Sequence, residues 1–409
     1  MYFCNLKQKI NGMDNFPKIV IATDKFKGSL SAVESAEAIK NGILKRAIEK
    51  RLDTESIKEN ILVRPMADGG EGSLKVMERA LQLSGRESKI IYIDNINHIG
   101  EDIKIPVLIY NNSKSAFIEM ASICGLSLVP KERRNLLRST TYGLGDTIRY
   151  LIEEMEIRDL IIAIGGSGTN DGGFGALTAL GFRYQNNCVF KNRDFAEFME
   201  NITAIDDKFV SGVTPHLKET TIRVACDVEN PLLGENGATM VYGAQKGGTP
   251  EELERIENSM KIWAKAIEER YGAGSASLPG AGAAGGMGFA LQTVLGAKMI
   301  PGWELFSQLM GLEQEIASAD IVFTGEGKFD KQSLAGKLPS GIAKLCSKYN
   351  KPLFLVTGKM EISQQEAASL GIEETIELAK KSSGKYQYIN AREIIISEVS
   401  KLLKRRSII

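Results

Sequence analysis

"IIAIGGSGTNDGGFGALTALG", residues 161–181, runs from apolar residues into a loop where five glycines surround an Asn-Asp pair, and then into a small-residue helical pattern. Strand, glycine turn and helix in that order form the repeating unit of a parallel sheet, and the turn lies at the sheet's carboxyl edge, where ligands of such folds bind. A backbone this bare of side chains implies that something approaches it closely.

Working outward, the same alternation recurs at both ends of the chain. "KIVIAT" (18–23) is followed by a helix over 29–50 with Ser31 and Glu34 spaced as a capping box, and "ILVRPMADGGEGS" (61–73) ends in another glycine-acid loop. Near the other terminus, "DIVFTGEG", a helix "SLAGKLPSGIAKLCSKYN", strand "PLFLVTG" and a helix near 391–404 repeat the pattern. Between them the strand candidates are more varied: "KIIYID" at 89, "SAFIEMAS" at 115, "DLIIAIGG" at 159, "TIRVACDV" at 221 and "TMVYGA" at 239. One long helix stands out there, with Thr249 and Glu252 as its cap, Pro250 in its first turn, and Leu253, Ile256, Met260, Trp263 and Ile267 on a core face.

The expected fold is therefore α/β in two domains. A discontinuous, doubly wound, Rossmann-like parallel-sheet domain comprises 17–75 and 285–405; a second α/β domain with a mixed sheet, 76–284, is inserted into it; residues 1–16 are an extension, and the ligand lies in the cleft. A length of 409 residues suits two cores.

Lys plus Arg and Asp plus Glu both total 51, so no net field draws the chain to nucleic acid or to an anionic membrane. No apolar run approaches membrane-spanning length, and the first 17 residues lack a signal peptide's hydrophobic region. Five scattered cysteines without a CxxC pair fit neither a disulfide framework nor a zinc ribbon, which points to the reducing cytoplasm. The expected partner is a small-molecule substrate, and an assembly of identical subunits is compatible with this.

Chemistry concentrates in five loops: "TDKFKGS" (23–29), "ADGGEGS" (67–73), "GGSGTNDGG" (165–173), "PGAGAAGGMG" (279–288) and "TGEGKFDKQS" (324–333). Glycine lets main-chain N–H groups reach phosphate oxygens, and a following helix adds a favourable dipole. The carboxylates in and beside these loops, Asp68, Glu71, Asp171, Asp227, Glu326 and Asp330, would repel a bare phosphate. They need a cation, a proton or hydroxyl groups; a nucleotide with magnesium and a polyhydroxy substrate meet all three needs. Lysines 27, 246, 328 and 337 lie in or beside the loops, with Lys27 and Lys337 the favoured phosphate partners. His98 and His216 lie in none of them, so a carboxylate has to serve as base.

"GAGAAG" (280–285) matches the dinucleotide fingerprint but has no strand before it, and no Gly-Lys pair is followed by Ser or Thr, so a Walker loop is absent. Two rivals stay open at this point: a dinucleotide-dependent dehydrogenase of hydroxy acids, and a non-catalytic sensor of phosphorylated metabolites.

Taken in order, "ATDKFKGSLSA", "MADGGEGS", "FIEMASICGL", "AIGGSGTNDGGFGALTALG", "ACDVENPLLGENGA", "YGAQKGG", "PGAGAAGGMG" and "TGEGKFDKQSLAGKLP" give the chain a set of motifs that resembles the bacterial type I glycerate kinases from about residue 18 to 400. The resemblance implies ATP-dependent phosphorylation of D-glycerate with Mg2+, giving 2-phosphoglycerate. Lys25 stands where the family usually has serine. On loop chemistry, Asp171 is the first choice of base and Asp68 the alternative, with Asn170 and Glu71 beside them for the substrate. Lys27 with Ser29 is assigned to the substrate carboxylate or product phosphate. Gly280, Gly282, Gly285, Gly286 and Lys337 are assigned to the ATP phosphates. Asp227 and Glu326 are the magnesium candidates, Asp227 being equally suited to capping a turn or helix.

Overall fold

The computed structural model describes residues 16–186, 194–206, 214–334, 336–380 and 390–409. Of the extension expected at 1–16, only Phe16 falls among them, and Cys4 and Cys188 lie outside them. Strands β1 (Ile19–Thr23) and β2 (Ile61–Val63) come first. They are followed by β3 (Ser88–Ile96), β4 (Asp102–Tyr110), β5 (Ser115–Glu119), β6 (Asp159–Ala163), the hairpin β7 (Arg183–Asn186) and β8 (Ile202–Asp206), β9 (Thr221–Ala225) and β10 (Lys298–Ile300). Strands β11 (Ile321–Phe329), β12 (Leu353–Met360) and β13 (Ile372–Glu377) close the chain.

Two compact units result. The first holds residues up to 68, 79–84 and 303–409; the second holds 69–78 and 85–302. These divisions fall at 68/69 and 302/303, whereas the sequence reading puts them at 75/76 and 284/285.

In the first unit every strand pairing is parallel, in the order β13-β12-β11-β1-β2. The central strands begin with apolar runs because helices cover them: Ile19 and Ile21 of β1 and Phe323 of β11 are fully buried, with Ile39, Ile43, Val399 and Leu402 from the helices Ala32–Glu49 and Ala391–Arg405. These two helices cross at Gly42, where a Cβ would come 2.8 Å from that of Val399. The Ser31–Glu34 capping box forms as the spacing implies.

The second unit has the mixed sheet β10-β9-β6-β5-β4-β3, parallel from β10 to β5 and antiparallel from β5 to β3. Its core takes in Trp263 and the whole expected face of the helix Pro250–Tyr271, whose Thr249–Glu252 cap is also present.

Two local expectations change, and one strand is found that the sequence reading did not name. "TMVYGA" is a helix, Ala238–Tyr242, and not a strand; Met240 and Val241 are exposed on it, so the apolar run reflects no sheet face. The stretch "DIKIPVLIY" is strand β4 although it carries Pro106. And "TGEGKF" is the continuation of β11, paired with β12 as far as Phe329 and Met360, and not a loop.

Candidate functional site

The loop after β6 shows what the glycines of residues 165–173 accommodate. Gly172 N–H donates to the Gly285 carbonyl at 2.9 Å, and Trp263 Nε1–H donates to the Gly172 carbonyl at 3.0 Å. A Cβ on Gly285 would collide with the Thr169 carbonyl and stand 2.6 Å from Asn170 Cα; one on Gly286 would stand 2.7 Å from Gly172 Cα. Both residues have left-handed backbones, φ +67° and +88°, so they satisfy a conformational as well as a steric demand. What comes close to the first glycine loop is the second. Gly282 presses likewise on the Pro231 carbonyl, and Gly280 faces Val228 O at 3.2 Å from its would-be Cβ. Chain-on-chain packing therefore accounts for the four glycines expected to cradle phosphate, and their presence no longer argues for a phosphate there.

Asp171 is fully buried. Its Oδ2 accepts from Thr141 N–H (2.8 Å), the Thr141 hydroxyl (2.9 Å) and Gly175 N–H (3.1 Å), and its Oδ1 accepts from Gly173 N–H (3.2 Å). Burial raises its pKa and these donors pull it back. Three donors crowd Oδ2 and one meets Oδ1, so both oxygens of the carboxylate are engaged by the chain itself. Asp171 fastens its loop to the start of the helix Phe174–Ala179 and to Thr141.

Its neighbours are less satisfied. Asn170 is buried, its Nδ2–H donating to Thr239 Oγ1 at 3.0 Å while its Oδ1 has no partner, and the hydroxyl of buried Thr169 has none either. Lys246 is buried beside them. Burial lowers its pKa to about 7, with Asp171 acting the other way. His98, also buried, falls to about 4 through burial and the charges of Arg134 and Lys246, so it is a neutral imidazole at neutral pH.

Within the same unit Glu71 is exposed. The loop that carries it is tied down by Glu119 at the end of β5, which accepts from Gly72 N–H (3.2 Å) and Leu74 N–H (2.8 Å). Asp227, a magnesium candidate, accepts from Gly302 N–H at 2.6 Å, the capping alternative already noted for it.

The first unit presents a different arrangement at the carboxyl ends of β1, β2 and β11. The order of strands reverses between β1 and β11, the switch point at which parallel sheets open a crevice. Asp24 N–H donates to Gly325 O at 2.9 Å, which sets Asp24 next to Glu326 across that gap. Lys25 joins the group: its N–H donates to Asp24 Oδ1 (2.6 Å), and its Nζ meets Asp68 Oδ1 (2.8 Å). Glu326 is buried with Oε1 unpartnered, and its pKa rises to about 7 through burial and the charges of Asp330 and Asp68, against the Ser333 hydroxyl and Lys337. Asp24 is pushed well above the usual carboxylate range by loss of water and by Asp68. Lys337 stands at the N-cap of the helix Leu338–Lys348. Lys27 is exposed, and Ser29 has a buried, unpartnered hydroxyl.

The sequence-derived residues thus divide. Lys27, Ser29, Asp68, Glu326 and Lys337 belong to the first unit, and Glu71, Asn170, Asp171, Asp227 and the four glycines to the second. Sequence reasoning missed Asp24 and Glu119, and passed over Lys246. Asp24 directly follows a strand and could have been found from that position; nothing in "YGAQKGG" announces a buried lysine.

Among the described residues no three His, Cys, Asp or Glu side chains stand close enough to hold one metal ion among themselves, and no helix is long and apolar enough to cross a membrane.

Residues 19–406 match the glycerate kinase family. A glycerate 2-kinase of Escherichia coli (strain K12) is 39% identical over 343 residues, covering 84% of this chain and 85% of that protein. A glycerate kinase of Halalkalibacterium halodurans is 38% identical over 363 residues, 89% and 91% of the two chains. A crystal structure from Salmonella typhimurium LT2, of a protein assigned there as glycerate kinase 2, superposes with a TM-score of 0.76 at 35% identity, over 96% of this chain and 98% of that one.

Proposed function

Because the chain belongs to the glycerate kinase family, we propose that it is an enzyme transferring the γ-phosphoryl group of ATP to D-glycerate, at the 2-hydroxyl, to give 2-phosphoglycerate. The rival dehydrogenase and sensor have no support in these comparisons.

The observation that carries the chemistry is the crowd of carboxylates at the switch point of the first unit. Burial and the charge of Asp68 raise the pKa of both Asp24 and Glu326, and a buried Glu326 oxygen lacks a partner. Surplus negative charge of this kind calls for a cation. The donors are all oxygen, which suits Mg2+, and Mg2+ bound with a nucleotide needs only one or two carboxylates because phosphates and waters complete its shell. Glu326 with Asp24 or Asp68 would hold it. When bound, it neutralises charge on the triphosphate.

The other roles fall to the chain itself. Phosphoryl transfer depends on alignment and charge more than on covalent help. Lys337, at a helix N-terminus, is proposed to bind the triphosphate, and Lys27 with Ser29 the transferred phosphate. Asn170 and Thr169 offer acceptors to the hydroxyl groups of glycerate. Asp171 fixes the loop that carries Asn170.

The test is ADP release with ATP, Mg2+ and D-glycerate, with the product then offered to enolase. Direct conversion by enolase is expected. ADP release without conversion would move the acceptor to the 3-hydroxyl, and glycerate-independent behaviour would overturn the proposal.

A further inference from the structure

Lys246 closes the short turn Ala244–Lys246 and is 4% exposed. Its Nζ donates to Ser167 Oγ at 3.1 Å and to the Thr169 carbonyl at 2.7 Å, both neutral groups. An ammonium has three hydrogens, and no third bond forms among the described residues. An ammonium buried without a partner anion is strongly disfavoured. Asp171 is the acidic residue that acts on it, and that carboxylate is already ringed by its own four donors. The fold buries an amine that a carboxylate at bonding distance would hold as ammonium, and supplies none there among the described residues.

The neighbouring groups have the complementary deficit. Thr169, whose carbonyl holds the lysine, has a buried hydroxyl with no partner; Asn170, next in the chain, has a buried Oδ1 with none. The bond from Asn170 Nδ2 to Thr239 Oγ1 sets the amide so that its oxygen is the orphan. Buried polar groups are nearly always paired, so three incomplete sets around one loop indicate a missing molecule. One carrying a carboxylate and hydroxyl groups would complete all three.

We propose that Lys246 is the counter-ion of the acceptor's carboxylate, with Thr169 and Asn170 taking its hydroxyl groups, so that this lysine restricts the enzyme to small hydroxy acids. The proposal rests on the kinase assignment and refines it. It takes the carboxylate from Lys27, which is exposed and whose ion pairing water would weaken.

Lys246→Met keeps the unbranched stem of the side chain and removes the charged end. The test measures KM for D-glycerate and for ATP separately in the wild type and this variant, together with the shift in Tm that D-glycerate and glycerol, which lacks the carboxylate, each produce. The expected result is a rise in KM for D-glycerate on the order of 100-fold, the usual scale for removing one partner of a buried charged pair. The ATP KM stays within a few-fold, the D-glycerate shift in Tm disappears, and the unliganded Tm is kept or raised. An unchanged glycerate KM would overturn the proposal, as would a loss falling on ATP, which would make the bound anion a phosphate. Should Lys246→Met not fold, Thr169→Val removes only the orphan hydroxyl: a higher glycerate KM at an unchanged Tm is expected, and an unchanged KM counts against the site. A wild type that does not phosphorylate glycerate, yet whose D-glycerate shift in Tm is lost in Lys246→Met, would sink the kinase assignment and leave this site standing.

Discussion

The loop after β6 in the second unit and the strand ends of β1 and β11 in the first share a sequence signature, glycine beside a carboxylate at the edge of a parallel sheet, and use it in opposite ways. In the loop, Asp171 is surrounded by donors and the glycines are pressed against a second glycine loop. At the strand ends, the charge of Asp68 acts on both Asp24 and Glu326, and a buried Glu326 oxygen is unpaired. A satisfied carboxylate holds shape; a frustrated one holds free energy that a ligand can release. Burial alone does not distinguish them, since Asp171 and Glu326 are both buried. The count of donors does.

The contrast is most exposed to failure at Asp171. Asp171→Ala leaves three backbone N–H groups and a hydroxyl without partners in the interior and is expected to cost about 4 kcal/mol by urea unfolding. A variant of Asp171 that kept full stability and lost only turnover would mark it as the base and erase the difference. Next comes Glu326, by its pH dependence. Its pKa is raised on folding, so its contribution is fully present below its unfolded value and is lost as pH rises through about 7. The wild type is expected to lose on the order of 3 kcal/mol between pH 5 and 8 from this group. Glu326→Gln, with Asp24, Asp68, Asp330 and Lys337 unchanged around it, should flatten that part of the profile; parallel profiles would show that its charge is not strained. Gly285→Ala is expected to cost about 2 kcal/mol or more through the clash with the Thr169 carbonyl and a left-handed φ. A neutral result would mean that the two glycine loops are not pressed together. Smallest is Lys25→Ala. The Lys25–Asp68 pair is partly exposed, and its loss should change stability by less than about 1 kcal/mol. A loss above about 2 kcal/mol would make the pair a structural clamp, blurring the contrast.

What the sequence discloses follows the range of each interaction. Caps are local, so Ser31 with Glu34 and Thr249 with Glu252 could be read directly, as could the periodic face that buries Trp263. Parallel strands between helices gave the α/β architecture for the same reason. The strand β4 was obscured because proline usually marks an edge or a turn, and the helix Ala238–Tyr242 because β-branched and aromatic residues carry the strand signal. The site was less legible. Glycine at 280–286 signals close approach but cannot say whether phosphate or another loop does the approaching. Asp171 and Glu326 look alike in sequence, since donors such as Thr141 lie 30 residues away. Lys246 required the fold to show that it is buried.

The most direct test of this division of labour is the turnover of Glu326→Gln with D-glycerate, ATP and Mg2+, measured well below its Tm. Removing a charge that serves the triphosphate's cation is expected to lower kcat on the order of 100-fold while Tm at neutral pH is kept or raised. Wild-type turnover in that variant would contradict the account, because the unpaired carboxylate at the switch point would then have no part in the chemistry.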